Sequence, residues 1–249
     1  MLNKIFKPKH LYELIRVGKN GDGGYLIEKK SLEDSKSLIS FGISTDWSFE
    51  KDFYDLNPIS IHAYDHTITK RFFYILIIKE SLKIFIGQFK AGIKSILLYN
   101  NYLKFFTGDK IHFLEKIGTE KTSTSLDSVL SRKKNGQPFF LKIDIEGSEY
   151  RILDDLIKIQ HLLSGIVIEF HDVDLHKERI TKFIDNFSLV LVHIHPNNFS
   201  DLDKNNNPTS LEMTFAKSPT IIDINPKIPH DLDQANDIGS NEQTLEFYF

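Results

Sequence analysis

Short apolar runs, three of them closing on a glycine or an acid, alternate in this chain with stretches of helical spacing. That alternation constrains the fold more than any other feature. Ser37–Gly42, Ile59–Asp65, Lys110–Leu114, Pro138–Asp144, Gly165–His171, Leu189–His195 and Leu211–Ala216 read as strands. Near-continuous apolar runs of this length suit strands buried on both faces. Between them, Trp47–Leu56, Ser148–Gln160 and Lys177–Phe187 carry helical spacing, and a helix starts near Ser125 with Thr124 or Ser125 as its cap. Strands alternating with helices predict an α/β fold: a mostly parallel, seven-stranded sheet with helices on both faces. Residues 68–106, aromatic and aliphatic with lysines at helical spacing, form one or two amphipathic helices inserted after the second strand. A turn-rich cluster, Gly18–Gly24, precedes Tyr25-Leu26-Ile27. The sequence shows neither an internal repeat nor a clear linker, so residues 1–249 are expected to form a single domain.

Composition narrows the chemistry. The 249 residues hold no cysteine, which removes thiolate nucleophiles and Cys-ligated zinc or iron–sulfur centres. With 31 Lys+Arg against 34 Asp+Glu the net charge is −3, and no global basic field points to nucleic acid. The N-terminus does not read as a signal peptide, and lysines interrupt the most apolar stretch, Phe72–Leu98. The expected setting is cytoplasmic, without a transmembrane segment.

Polar residues gather at the predicted strand ends, where open α/β sheets bind their ligands. Gly42 closes the first strand. Asp65 closes the second, 65 − 42 = 23 residues on, close to the roughly 20 expected between a nucleotide-binding turn and a ribose-binding acid. The fourth strand runs into Asp144-Ile145-Glu146-Gly147, the fifth into Glu169-Phe170-His171-Asp172 and the sixth into His193-Ile194-His195-Pro196-Asn197-Asn198. Asp144 and Glu146 either serve a site or cap the helix near Ser148. His193 and His195 alternate, so they share a face of their strand. Each is a base or ligand candidate or an ordinary buried histidine. Asn197 and Asn198 offer the mixed donors and acceptors that sugar hydroxyls need, or simply a turn. Asp144, Glu169 and His171 could hold a hard divalent cation such as Mg²⁺.

Four segments occur in a telling order: Gly21–Tyr25, Ser40–Glu50, Leu141–Glu149 with its Lys-Ile-Asp-Ile-Glu-Gly-Ser-Glu run, and His193–Asn198. Together they resemble the FkbM-type methyltransferases, class I enzymes dependent on S-adenosylmethionine, from about Gly21 to Ala216. The resemblance implies a Rossmann-like class I sheet and methyl transfer to a hydroxyl, often on a sugar. It implies that Gly24, Gly42, Ser44, Asp46 and Asp144 line the cofactor and that Asp65 holds its ribose. A protonated hydroxyl is a poor nucleophile, so Glu146, His195 or His171 is expected as base. His193, Asn197 and Asn198 are expected on the acceptor, a nucleotide-linked sugar or a surface-polysaccharide precursor. One departure stands out: only Gly42 remains of the glycines expected in the first turn, ahead of Ser44-Thr45-Asp46. Two other readings stay open, a metal-dependent hydrolase built on the His/Asp/Glu residues and a non-catalytic nucleotide-binding module. Residues 68–106 are expected to act as a lid or to pack in a homodimer, with peripheral membrane contact as the lesser alternative.

Overall fold

The computed structural model describes residues 1–86, 89–133 and 135–248. Seven strands build the main sheet: β1 (Ser37–Phe41), β2 (Ser60–Tyr64), β3 (Lys110–Phe113), β4 (Phe139–Ile143), β5 (Leu163–Phe170), β6 (Val190–Pro196) and β7 (Leu211–Ala216). Their order across the sheet is β3-β2-β1-β4-β5-β7-β6. β7 runs antiparallel to both of its neighbours, and the other pairings are parallel. The first five strands follow the order of a dinucleotide-binding sheet, and the closing β6–β7 hairpin departs from it. The chain therefore reverses direction across the sheet between β1 and β4, the kind of switch point where such sheets take ligands.

The α/β expectation rests on buried strands, and burial explains it. β1, β4 and β5 are buried along their whole length. Alternate residues feed opposite faces. Ile39, Leu141, Ile166 and Ile168 join one cluster with α6 (Leu153–Ile159) and α7 (Val173–Asn186), while Leu38, Phe140 and Val167 join a second with α2 (Ser48–Leu56). Full burial of each such side chain is worth roughly 1.5–3 kcal/mol before conformational entropy is subtracted.

Several local expectations change. The segment 148–160 breaks into a 3₁₀ turn at Glu149–Arg151 and the short α6. α7 begins at Val173, not Lys177, behind Asp172 in a left-handed conformation (φ 50°). Tyr25–Glu28 is the second arm of a hairpin with Leu14–Val17, and that hairpin covers the face that carries α2. The short α1 (Lys29–Glu33) follows that hairpin, and Ser125 caps α5 (Leu126–Ser131) as expected. Residues 68–106 become two helices, α3 (Lys70–Leu82) and α4 (Phe89–Phe105), which pack chiefly on each other. Among the described residues, no helix is long and apolar enough to cross a membrane.

Candidate active site

The loop leaving β1 is shaped by one close approach. Gly42 has φ +76°, and a Cβ built on it would lie 1.7 Å from the Asp144 carbonyl oxygen. Only glycine allows the ends of β1 and β4 to meet this way. Ser44 follows in a left-handed conformation, φ 45°. Asp65, at the end of β2, reaches back under this loop. Its Oδ2 accepts from the backbone N–H of Ile43 (3.2 Å) and Ser44 (2.9 Å), and its Oδ1 accepts from the N–H (2.8 Å) and hydroxyl (2.6 Å) of Thr67. Burial opposes the carboxylate's charge, but those donors outweigh it and hold Asp65 below the usual carboxylate range. Here the carboxylate organises the loop, with its lone pairs already in use.

The glycine cluster packs beside this loop. A Cβ on Gly24 would sit 1.9 Å from the Lys19 carbonyl, so Gly24 is demanded by the turn itself. Asp46 accepts from Ser48 N–H (3.0 Å) at the start of α2 and pairs with Lys19 at 2.7 Å. Asp46 thus ties the cluster to α2.

Across the switch point, the ends of β4 and β5 bring ionisable groups together. One oxygen or nitrogen from each of Asp144, Glu169 and His171 lies within 4.8 Å of the others. The Tyr25 hydroxyl stands between Asp144 Oδ2 (3.3 Å) and Glu169 Oε2 (3.1 Å). Buried Lys142 reaches Asp144 Oδ2 at 3.3 Å and donates to the Gly42 carbonyl. Glu169 Oε1 accepts from Asn197 (2.6 Å) and Ser210 (3.0 Å). Burial, reinforced by the Asp144 and Glu212 carboxylates, pushes Glu169 up to about 8. His171 goes the other way in charge. Burial disfavours its imidazolium, but Glu149, Glu169 and Asp144 prevail and raise it to about 9.

Glu149 was not singled out from the sequence, and it answers the capping alternative. Fully buried, it accepts from the N–H groups of Ile145 (3.0 Å) and Gly147 (3.2 Å) and lies 3.2 Å from His171 Nδ1. The turn after β4 is thus capped by Glu149. Asp144 turns toward Tyr25 and Lys142. Glu146, left-handed at φ 52°, projects outward with its side chain 86% exposed, 3.6 Å from His171 Nε2.

The β6 histidines do share a face, their rings stacked 6.3 Å apart. Both are buried beneath residues 230–243 of the C-terminal tail. His193 Nε2 lies 2.8 Å from Asp233, and His195 Nε2 lies 2.8 Å from Glu242. Glu212, on β7, faces His195 Nδ1 at 3.7 Å and accepts from Asn236 at 2.6 Å. Burial again opposes the charge on His195, and Glu212, Asp233 and Glu242 raise it to about 9. An imidazolium has no lone pair to accept a proton, so His195 as placed here is a cation that holds the tail. Asn198 brackets the same tail, accepting from Asp237 N–H (2.8 Å) and donating to the Asp237 carbonyl (3.0 Å). Asn197 orients Glu169.

Residues 84–199 match the methyltransferase FkbM domain family. The resemblance read from the motifs is thereby shown over that segment. It holds the Asp144–Glu149 turn, Glu169, His171 and the β6 histidines, whereas Gly42, Ser44, Asp46 and Asp65 precede it. The FkbM match implies S-adenosylmethionine as methyl donor. No curated protein matches the chain. Among solved structures it is similar to a Pyrococcus horikoshii protein described as an RNA methyltransferase, at 10% identity over 77% of this chain and 82% of that one, TM-score 0.39. The fibrillarin pre-rRNA processing protein of Methanococcus jannaschii is similar at 9% identity over 75% and 68%, TM-score 0.37. A Galdieria sulphuraria protein described as a sarcosine dimethylglycine methyltransferase is similar at 10% identity over 77% and 82%, TM-score 0.39.

Proposed function

We propose that this chain is an S-adenosylmethionine-dependent O-methyltransferase whose acceptor is a carbohydrate hydroxyl, on a nucleotide-linked sugar or a surface-polysaccharide precursor. The observation that carries the reading is the family match over residues 84–199, which contains the carboxylate cluster at the ends of β4 and β5. The sheet supports it through its switch point between β1 and β4, where a class I methyltransferase would seat its cofactor.

The donor set suits that cofactor. With Glu169 protonated near neutrality, the carboxylates of Asp144, Glu146 and Glu149 still outnumber the cations Lys142 and His171, so the strand ends favour a cationic ligand. Bound there, S-adenosylmethionine supplies an electrophilic methyl on a sulfonium. Gly42 and Ser44 shape the loop that would meet it, and Asp65 keeps that loop in place. Exposed Glu146 is the base candidate that fits best, since its carboxylate can reach a hydroxyl without breaking any buried pair. His171, fixed by Glu149 through Nδ1, steadies Glu146 through Nε2. His195 and His193 serve as anchors of the tail, and Asn197 orients Glu169. Direct contact of His193, Asn197 or Asn198 with the acceptor would require the tail to lift.

A second reading of the same cluster has its own observation. Asp144, Glu169 and His171 offer three ligand atoms within 4.8 Å, enough to begin a divalent-cation site such as one for Mg²⁺. A cation there could polarise the acceptor hydroxyl in the same reaction.

Calorimetry with S-adenosylhomocysteine, followed by methyl transfer to a panel of nucleotide sugars, tests the proposal. Cofactor binding with turnover that drops about 10²-fold or more in Glu146→Gln is the expected result. Absence of adenosyl-cofactor binding would overturn it, and binding without turnover on any sugar would favour the non-catalytic module. Turnover that survives a chelator removes the cation.

A further inference from the structure

We propose that the α3–α4 hairpin docks this protein onto an anionic lipid bilayer. Three observations converge on it, none of which depends on the methyl-transfer reading.

The first is unburied apolar surface. α3 is apolar nearly all round, the pattern of a helix enclosed by its surroundings. Yet Ile75, Ile78 and Leu82, which share one face at i, i+3 and i+7, are 54%, 62% and 58% exposed. On α4, Ile93 and Leu97 are 59% and 53% exposed, and Phe85, near the hairpin's tip, is 83% exposed. Exposed apolar patches of this kind mark interaction surfaces.

The second is construction. The hairpin is closed on itself: Phe73 stacks on Tyr99 at 4.8 Å, and Gly92 fits against Ser81. Among the described residues its base is tied to the sheet, where Tyr102 Oη lies 2.7 Å from His112 Nδ1 and His112 Nε2 lies 3.0 Å from the Asp65 carbonyl. The arm was expected to act as a lid or to pack in a homodimer. In this structure it extends its apolar surface outward.

The third is charge. Residues 68–106 carry seven Lys/Arg and one Glu, a balance of +6, on a chain whose total is −3. The remainder therefore bears −9. Lys79, Lys90 and Lys94 are exposed among the apolar residues. A two-fold contact between copies would press this +6 surface against itself, because such an interface is isologous. An anionic lipid surface meets both needs at once, since it pairs with the lysines and accepts the apolar side chains between them.

Flotation with vesicles tests this on the full chain. The wild-type protein should float with mixed phosphatidylglycerol–phosphatidylcholine vesicles, stay behind with phosphatidylcholine alone, and release as salt rises. Each basic residue at such a surface is worth about fivefold in partitioning, so Lys79→Glu with Lys94→Glu should cost at least about 25-fold. Leu82→Ser with Phe85→Ser should cost about tenfold or more. All four side chains are exposed, and circular dichroism should show both variants folded. A folded wild-type protein that ignores anionic vesicles would overturn the proposal, as would vesicle binding unchanged in both variants. Sedimentation showing a dimer that Leu82→Ser with Phe85→Ser dissolves, with no vesicle binding, would assign the surface to a second copy instead.

Discussion

The two sides of the switch point hold their carboxylates in opposite ways. On the β1–β2 side, Asp65 is satisfied by backbone N–H groups and the Thr67 hydroxyl, which hold it ionised at any ordinary pH. On the β4–β6 side, His171 and His195 are partnered by carboxylates while Glu169 is held by Asn197, Ser210 and Tyr25, and all three groups are raised into the range of about 8 to 9. The first side is preorganised and has no proton to give up near neutrality. The second stores charge that responds to pH, to a cation or to a substrate. Perturbed groups collect where chemistry is done, so under the proposed function the first side is the candidate binding half and the second the candidate reacting half.

The largest expected effect tests whether the halves share a backbone. Gly42→Ala would put a methyl on the Asp144 carbonyl at a φ that alanine rarely adopts. Denaturant unfolding should show a loss of roughly 4 kcal/mol or failure to fold. A change below about 1 kcal/mol would show that the strand ends can part freely. The next effect concerns pH. His195 titrates near 9 in the fold against 6.5 ordinarily, so its contribution is complete below about pH 6.5 and is lost as pH rises through 9. That contribution is about 3 kcal/mol. Thermal unfolding of the wild-type protein should weaken between pH 7 and pH 10, and His195→Gln should flatten that slope. An equally steep slope in the variant would detach the tail's stability from His195.

Asp65→Asn probes the other side. An amide cannot accept from all four donors, so a cost of about 2 kcal/mol is expected. No new slope should appear near neutral pH, because the lowered carboxylate loses its contribution only as pH falls below the ordinary 3.8. Calorimetry should also show weaker S-adenosylhomocysteine binding, because the loop is no longer held. Full affinity in a folded Asp65→Asn protein would place the cofactor elsewhere.

The positions on the β1–β2 side were largely legible in the sequence, and those on the β4–β6 side only in part. Gly42 and Asp65 stand at the ends of uninterrupted apolar runs, and such runs predict strand ends well. Asp144, Glu169 and His171 were legible for the same reason. Lys142 and Glu212 interrupt buried strands, Phe139–Ile143 and Leu211–Ala216, and a charge inside such a run is a signal that could have marked them. Glu149 lay inside the motif but was masked by Glu146, whose place beside Gly147 drew attention to it. Asp233, Asn236 and Glu242 had no signal at all. They belong to a tail without regular periodicity, and their partners on β6 and β7 lie some 24 to 47 residues away. Only tertiary folding turns two strand histidines into clasps.

Tyr25 joins the two halves, and the smallest prediction concerns it. It follows the glycine cluster and places one hydroxyl between Asp144 and Glu169. Burial and the surrounding carboxylates push this phenol well above its usual range, so it stays a donor. Tyr25→Phe removes that donor while keeping the ring edge-on against Phe49 at 5.7 Å. Unfolding should show a loss of about 1 kcal/mol. If Asp144, Glu169 and His171 take a divalent cation, Mg²⁺ would draw the same two carboxylates together, and the loss should shrink when unfolding is repeated with Mg²⁺ present. An identical loss with and without Mg²⁺ would mean that the hydroxyl and the cation do not act on the same oxygens.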